Sequence, residues 1–290
     1  MKKFIIRLLI VFQVIINRRR EPFFSWNVLI KYLLNGRFFP AFPKVNYKPE
    51  LSLVEDADFK MVGFRGDKVA YDKSWNNDLI IENFNNILNE QTAVNTIMSP
   101  HKYIENINED WVIYDIGAAE GLQSKFWTKN VKKIIIFEPD KEFFKTLERT
   151  FEKEVSEGRI VLLNLGVSDS PKQLNFKSGP AQFDTLDSII KQYNIPLPDY
   201  LKADIEGEEL NLLNSLSNQV IENLKLIQIT TYHRPDDYKV IPDFFKKLKG
   251  EGTFSDGYIL FNRNNFELGN WNKVFHPVIR KCLYSFKFNK

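Results

Sequence analysis

From Trp111 onward, short apolar runs alternate with stretches of helical period. The runs Trp111–Ile116, Lys133–Glu138, Arg159–Leu165, Tyr200–Ile205, Leu224–Thr231 and Tyr258–Asn262 predict strands. Between them, Glu120–Lys129, Asp140 to about Val155, Leu186–Tyr193, Glu208–Leu216 and Tyr238–Leu248 predict helices. Pro139 suits the opening of the second of these, and Asp184 or Thr185 can cap the third. Strands that are apolar throughout, rather than on alternate residues, imply a parallel sheet covered on both faces, with right-handed crossovers. In such a sheet ligands bind at the carboxyl ends of the strands, so candidate chemistry is sought there.

The first hundred residues read differently. An apolar run from Phe4 to Ile16, broken by Arg7 and Gln13, lies between Lys2-Lys3 and Arg18-Arg19-Arg20. Three arginines stand where a signal peptide would have small residues for cleavage. As a helix the run is about 20 Å long, short of the ~30 Å hydrocarbon core of a bilayer. Two readings stand: a helix lying in a membrane interface through residues 1–20, or one packed on its own domain or on a twin subunit. Phe38–Pro43 and Lys44–Pro49, rich in Pro and aromatics, read as an extended linker.

Composition narrows the class. Of 290 residues 43% are hydrophobic and 27% charged, which excludes a disordered, collagen-like or polytopic membrane protein. The single cysteine, Cys282, excludes a disulfide scaffold and a cysteine zinc site, and it fits a reducing, cytoplasmic location. The net charge of +3 divides into +8 over residues 1–50, −10 over 51–260 and +5 over 261–290. An acidic centre with basic ends argues against a nucleic-acid partner.

At the strand ends the chemistry is specific. The first strand runs into Asp115-Ile116-Gly117-Ala118-Ala119-Glu120-Gly121, spaced D-x-G-x-x-x-G rather than the G-x-G-x-x-G of dinucleotide folds. A pyrophosphate is met by a glycine turn aimed at a helix N-terminus. A zwitterionic amino-acid ligand carrying a sulfonium can use acidic side chains, here Asp115 and Glu120. A tight strand-to-helix turn is the bland reading of the same residues. The second strand ends on Glu138, 21 residues past Gly117, where a carboxylate can accept both hydroxyls of a ribose, of NAD or of S-adenosylmethionine. Its alternative is a helix-capping acid at Glu138 or Asp140. Asn164–Asp169 places polar groups to meet an adenine edge. The fourth strand delivers Asp204 and Glu206, which point the same way by strand alternation and need a cationic partner such as Lys202. The fifth ends in Thr230-Thr231-Tyr232-His233-Arg234-Pro235-Asp236-Asp237. His233, whose ordinary pKa lies near working pH, reads as a general base with Asp204 orienting it or the acceptor, against the alternative of a hydrogen-bonded loop histidine.

Asp115-Ile-Gly-Ala-Ala-Glu-Gly121, Phe137-Glu-Pro139, Gly166-Val-Ser-Asp169, Thr185-Leu-Asp187 and Lys202-Ala-Asp-Ile-Glu-Gly207 together resemble the FkbM-type S-adenosylmethionine-dependent methyltransferases over about residues 100–262. Ala118-Ala119-Glu120 stands where many members have Ala-Asn and a small or β-branched residue. The resemblance implies an α/β class I methyltransferase (Rossmann-like) fold: a seven-stranded, mostly parallel sheet with helices on both faces and an antiparallel last strand. It implies S-adenosylmethionine as cofactor, methyl transfer to a hydroxyl of a sugar, glycan or other small molecule, and no metal. It places Asp115, Gly117, Ala118 and Gly121 at the methionine part of the cofactor, Glu138 and Pro139 at the ribose, Gly166 and Val167 near the adenine, and Asp204 beside the methyl. Glu206, Thr185 and Asp187 fall to the acceptor. The chain then divides into an N-terminal extension, 1–100, of basic apolar helix, linker and helical lead-in; a catalytic domain, 101–265; and a basic C-terminal tail, 266–290. An NAD-dependent oxidoreductase and a non-catalytic Rossmann-like docking module are the alternatives.

Overall fold

The computed structural model describes residues 2–17, 26–35, 45–56, 58–92, 103, 107–234, 236–255, 258–260 and 279–289. Arg18–Arg20, residues 38–44, Pro235 and residues 261–262 lie outside them.

The central sheet has seven strands: β4 (Val112–Ile116), β5 (Lys133–Phe137), β6 (Ile160–Leu163), β10 (Tyr200–Ala203), β11 (Leu226–Thr230), β12 (Gly250–Phe254) and β15 (Leu283–Phe288). Their spatial order is β12-β15-β11-β10-β4-β5-β6. Six run in one direction, and β15 lies antiparallel between β11 and β12. This is the class I methyltransferase order, with the reversed strand inserted one place from the edge. The apolar runs follow from burial on both faces. Tyr114 and Ile116 pack with Ile135 and Phe137 in one core cluster, while Ile113 packs with Ile134 and Ile136 in the other. Alternate residues of each strand therefore serve opposite faces, and both must be apolar. The helices α4 (Leu122–Trp127), α5 (Lys141–Thr150), α6 (Glu152–Ser156), α7 (Leu186–Tyr193), α8 (Glu209–Asn214), α9 (Asn218–Asn223) and α10 (Asp237–Phe245) connect the strands. Asp140 caps α5 by accepting from the Glu142 and Phe143 amides.

Three regions depart from the sequence expectation. Residues 283–288 of the expected tail are a central strand, because Leu283, Tyr284 and Phe286 bury their side chains in the core. The late strand at 258–260, β13, pairs with β14 (Ile279–Lys281) as a two-stranded ribbon outside the sheet. Within the extension, α1 (Lys2–Asn17) and α2 (Trp26–Asn35) are followed by an antiparallel meander, β1 (Ser52–Asp56), β2 (Phe59–Phe64) and β3 (Asp67–Asp72), where a helical lead-in was expected. Arg65 (φ 49°) and Gly66 (φ 91°) form the two-residue left-handed turn that joins β2 to β3. Among the described residues, α3 (Asn77–Thr92) is the helix of that lead-in. A second small sheet, β7 (Gly166–Val167), β8 (Lys172–Phe176) and β9 (Gly179–Asp184), fills the long crossover after β6.

The meander is bound to the catalytic domain. Val62, Phe64, Val69 and Tyr71 pack on Ile80, Phe84 and Leu88 of α3 and on Leu122 of α4. The Ala70 amide donates to Thr150 Oγ1 (2.9 Å), Lys129 pairs with Asp67 (2.7 Å), and Arg149 pairs with Asp56.

Candidate active site

A cavity of about 270 Å³ opens at the carboxyl ends of β4, β5 and β10. Gly117, Glu138, Pro139, Gly166, Val167 and Asp204, read from the sequence as cofactor residues, line it with Glu206, read as an acceptor residue, and with Phe137, Phe143, Phe176 and Phe183. Another cavity, of about 590 Å³ beside Phe64, Gln123 and Trp127, takes no residue from those strand ends.

Gly117 is required by geometry. Its φ is +79°, and a Cβ there would stand 2.0 Å from the Asp204 carbonyl oxygen. The turn can thus pass against the end of β10 only without a side chain. Ala119, also left-handed (φ 48°), aims its amide at Glu138 Oε2 (2.8 Å). The other Glu138 oxygen accepts from the Asp140 amide (2.9 Å). Glu138 therefore crosslinks the first two strand ends, and Asn164 steadies the corner by donating to the Glu138 carbonyl. Burial pushes the Glu138 carboxyl up to about 7 against the pull of those two hydrogen bonds.

Asp115 is placed differently from its expected role. It is buried, accepts from Ser124 Oγ (2.6 Å) and pairs with Lys202 (2.8 Å), its register partner on β10. Lys202 also donates to the Gly117 carbonyl. The pair holds the turn from behind and does not line the cavity. Ala118 and Gly121 likewise lie outside the lining. Ala118 packs on a core cluster, and Gly121 (φ +75°) makes room for Leu147 and Phe151. Gly166 lines the cavity, yet its smallness serves Phe183, whose ring would stand 2.1 Å from a Cβ. Thr185 and Asp187 are not brought to the site. Thr185 caps α7, and Asp187 accepts from Ser217 Oγ (2.9 Å). Ser168, expected near an adenine edge, is buried and donates to Glu208 (2.6 Å).

The far end of the cavity is acidic. Strand β10 stops at Ala203, so Asp204 and Glu206 share a direction through the left-handed turn at Glu206 (φ 55°) rather than through strand alternation. His233 Nε2 stands 3.6 Å from Asp204 Oδ1 and 3.6 Å from Glu206 Oε2. Its Nδ1 meets Glu209 Oε1 at 2.6 Å. The His233 side chain is only 4% exposed and that of Glu209 0%. Burial pulls the imidazole down, but the Glu209 hydrogen bond and the charges of Glu209, Asp204 and Glu206 outweigh it and push it to about 9. His233, expected as the general base, thus stands among three carboxylates that favour its charged form. The Tyr232 hydroxyl donates to Asp204 (3.2 Å), and its ring lies against His233 at 4.2 Å. Glu209 is the residue that sequence reasoning missed. It also accepts from the Ile205 amide (3.0 Å) and Thr230 Oγ1 (3.0 Å), so one buried carboxylate ties the β10 and β11 ends to His233. Its signal was a second acid directly after Glu208 at the start of a buried helix.

The cavity joins a turn that admits no side chain, a carboxylate at the second strand end, aromatic walls from Phe143 and Phe176, and an acidic end suited to a cation. These are the surfaces that an amino-acid tail, a ribose, a purine and a sulfonium each need.

Comparison with known proteins finds similarity to methyltransferases. Residues 181–250 match the family model of the methyltransferase FkbM domain. The hexuronic acid methyltransferase AglP of Haloferax volcanii is 23% identical over 184 residues, 57% of this chain and 73% of that protein. The structure of methyltransferase FkbM from Methylobacillus flagellatus KT is 18% identical, with a TM-score of 0.47 over 65% of this chain. The chain spans 46% of that protein's length. A precorrin-6y C5,15-methyltransferase from Geobacter metallireducens GS-15 is 14% identical, with a TM-score of 0.39 over 63% of this chain and 84% of its own. By its strand order this chain has the class I methyltransferase fold, and by its motifs and the matched segment it resembles the FkbM-type methyltransferases.

Proposed function

We propose that the protein is an S-adenosylmethionine-dependent O-methyltransferase acting on a hydroxyl of a sugar or glycan. The observation that carries the reading is the single cavity in which the Gly117 turn, Glu138 and Asp204 meet at three adjacent strand ends. The sugar class rests on the relative that acts on a hexuronic acid. Bound there, S-adenosylmethionine supplies a methyl group already activated on a sulfonium.

The chain supplies alignment and a proton acceptor. Glu138 would accept from the ribose hydroxyls, and the Gly117 turn would bring backbone against the methionine part. Asp204 would take the acceptor's hydroxyl proton as the oxygen bonds to the methyl carbon and the carbon–sulfur bond breaks, the sulfonium leaving as a neutral thioether. The His233 imidazolium, held by Glu209, and the Tyr232 hydroxyl fix the Asp204 carboxylate in position. His233 is thus a positioning residue in this reading.

Calorimetric titration with S-adenosylmethionine, S-adenosylhomocysteine and NAD tests the cofactor. Binding of both adenosyl ligands, lost in Glu138→Ala, is expected. Binding of NAD alone would turn the reading into the oxidoreductase alternative, and binding of none would favour a docking module. The proton acceptor is tested with labelled methyl transfer to hexuronic-acid glycans. Asp204→Asn should retain cofactor binding and lose about 10²-fold or more in turnover. Unchanged turnover in that variant would exclude Asp204 from the role.

A further inference from the structure

The N-terminal helices carry a surface that methyl transfer does not use. The α1 helix presents Phe4, Ile5, Leu8, Phe12 and Ile15 to the outside, and α2 presents Trp26, Ile30 and Leu34. The spacings 4, 8, 12 and 26, 30, 34 are each one helical face. Phe12 is 55% exposed and Leu34 68%, which is large for side chains that could have been turned inward. The two helices are fastened to one another, since Arg7 donates to the carbonyls of Leu33 (3.4 Å) and Leu34 (3.2 Å). Leu29, by contrast, is 2% exposed, so α2 has an inner face and an outer one. A contiguous apolar patch of this kind marks an interaction site rather than scattered exposure.

Charge selects the partner. Residues 1–44 hold nine Lys and Arg against one acid, Glu21. A second copy would bring the same positive charge against itself, and a neutral apolar partner would leave it unanswered. A sheet of anionic headgroups over acyl chains answers both features at once. Among the described residues no helix is long and apolar enough to cross a membrane, which fits a hairpin that lies on the surface. We propose that the α1–α2 hairpin docks the protein on a bilayer surface containing anionic lipid, with the exposed faces of both helices buried at the headgroup boundary. This inference goes beyond the methyltransferase reading and does not depend on it.

Co-sedimentation of the full chain with vesicles tests it. Vesicles of phosphatidylcholine with about 30 mol% phosphatidylglycerol should bind the protein at least roughly tenfold more tightly than phosphatidylcholine alone, and about 0.5 M salt should erase most of that difference. The double variant Phe12→Ser/Leu34→Ser, at exposed positions, should lose about tenfold or more in affinity. Leu79→Ser, at an exposed apolar site on another helix, should bind like the parent. Equal binding by parent and double variant, or no binding to either vesicle, would overturn the proposal. So would sedimentation velocity showing a lipid-free dimer that the double variant converts to monomer, since the face would then belong to a second copy.

Discussion

His233 owes its charge to its neighbours, and that makes it a pH-dependent element of stability. Its folded pKa, about 9, lies above the ordinary value of 6.5. The stabilisation it contributes is therefore complete below about pH 6.5 and is lost as pH rises through about 9. For a side chain so well buried the loss should be on the order of 2–3 kcal/mol. Urea unfolding at pH 6, 8 and 9.5 would show a fall in midpoint across that range for the parent. In His233→Gln the midpoint should be lower at pH 6, and its decline between pH 6 and 9.5 should be much shallower. Parallel declines in both proteins would mean that other groups carry the pH dependence. Glu138, raised to about 7, acts in a lower window, where stability is lost between about pH 4.5 and 7. The two residues can therefore be separated by pH alone.

At the scale of elements, the turn after β4 shows how little freedom the site has. Gly117→Ala places a Cβ 2.0 Å from the Asp204 carbonyl at a left-handed φ, so β4 and β10 cannot keep their register at that end. A cost of about 2–4 kcal/mol and loss of adenosyl-ligand binding are expected. Gly66→Ala meets nothing within 4 Å and should cost only about 1 kcal/mol for its φ of +91°, with binding intact. Melting and calorimetry on the pair separate backbone crowding from conformational strain, and equal effects would refute the crowding account. The same scale explains what the sequence could disclose. The strands β4, β5, β10 and β11 were legible because both faces of each are covered, and such burial writes a continuous apolar run. The edge strand β12, Gly250–Phe254, was not, because a half-exposed strand with two glycines carries no such run. The meander was masked in the same way. Lys60, Gly63 and Lys68 break its alternation, and only the Arg65-Gly66 turn marks it. Gly117, Glu138 and Asp204 were legible because they end readable strands. Glu209 and the inward-facing Asp115 were not, because no spacing along the chain says which carboxylate a fold will bury.

At the scale of the whole molecule, a side-chain contact links the N-terminal module to the turn after β4. Asn83 of α3 donates to Glu120 (2.8 Å), inside the turn that opens the site, and Asn83 also meets the Tyr71 hydroxyl (3.3 Å). Burial raises the Glu120 carboxyl, and the Asn83 hydrogen bond opposes that rise. The module is therefore positioned to set the charge and orientation of a residue of the turn, beyond covering apolar surface. Two substitutions test this against a purely structural role. Leu122→Ala, in the shared apolar cluster, removes packing and should cost about 2–5 kcal/mol. Asn83→Ala leaves the packing largely in place but strips the Glu120 carboxylate of its donor, for about 1–3 kcal/mol. If the contact couples module to site, Asn83→Ala should weaken adenosyl-ligand binding several-fold and make that binding more pH-dependent above the ordinary carboxylate range, as the freed carboxyl takes up a proton more readily. A variant that melts earlier yet binds with the parent's affinity and pH profile would reduce the module to a cover. Asn83→Asp sharpens the distinction: it keeps the size of the side chain, sets a second carboxylate against Glu120, and should weaken binding more than alanine does.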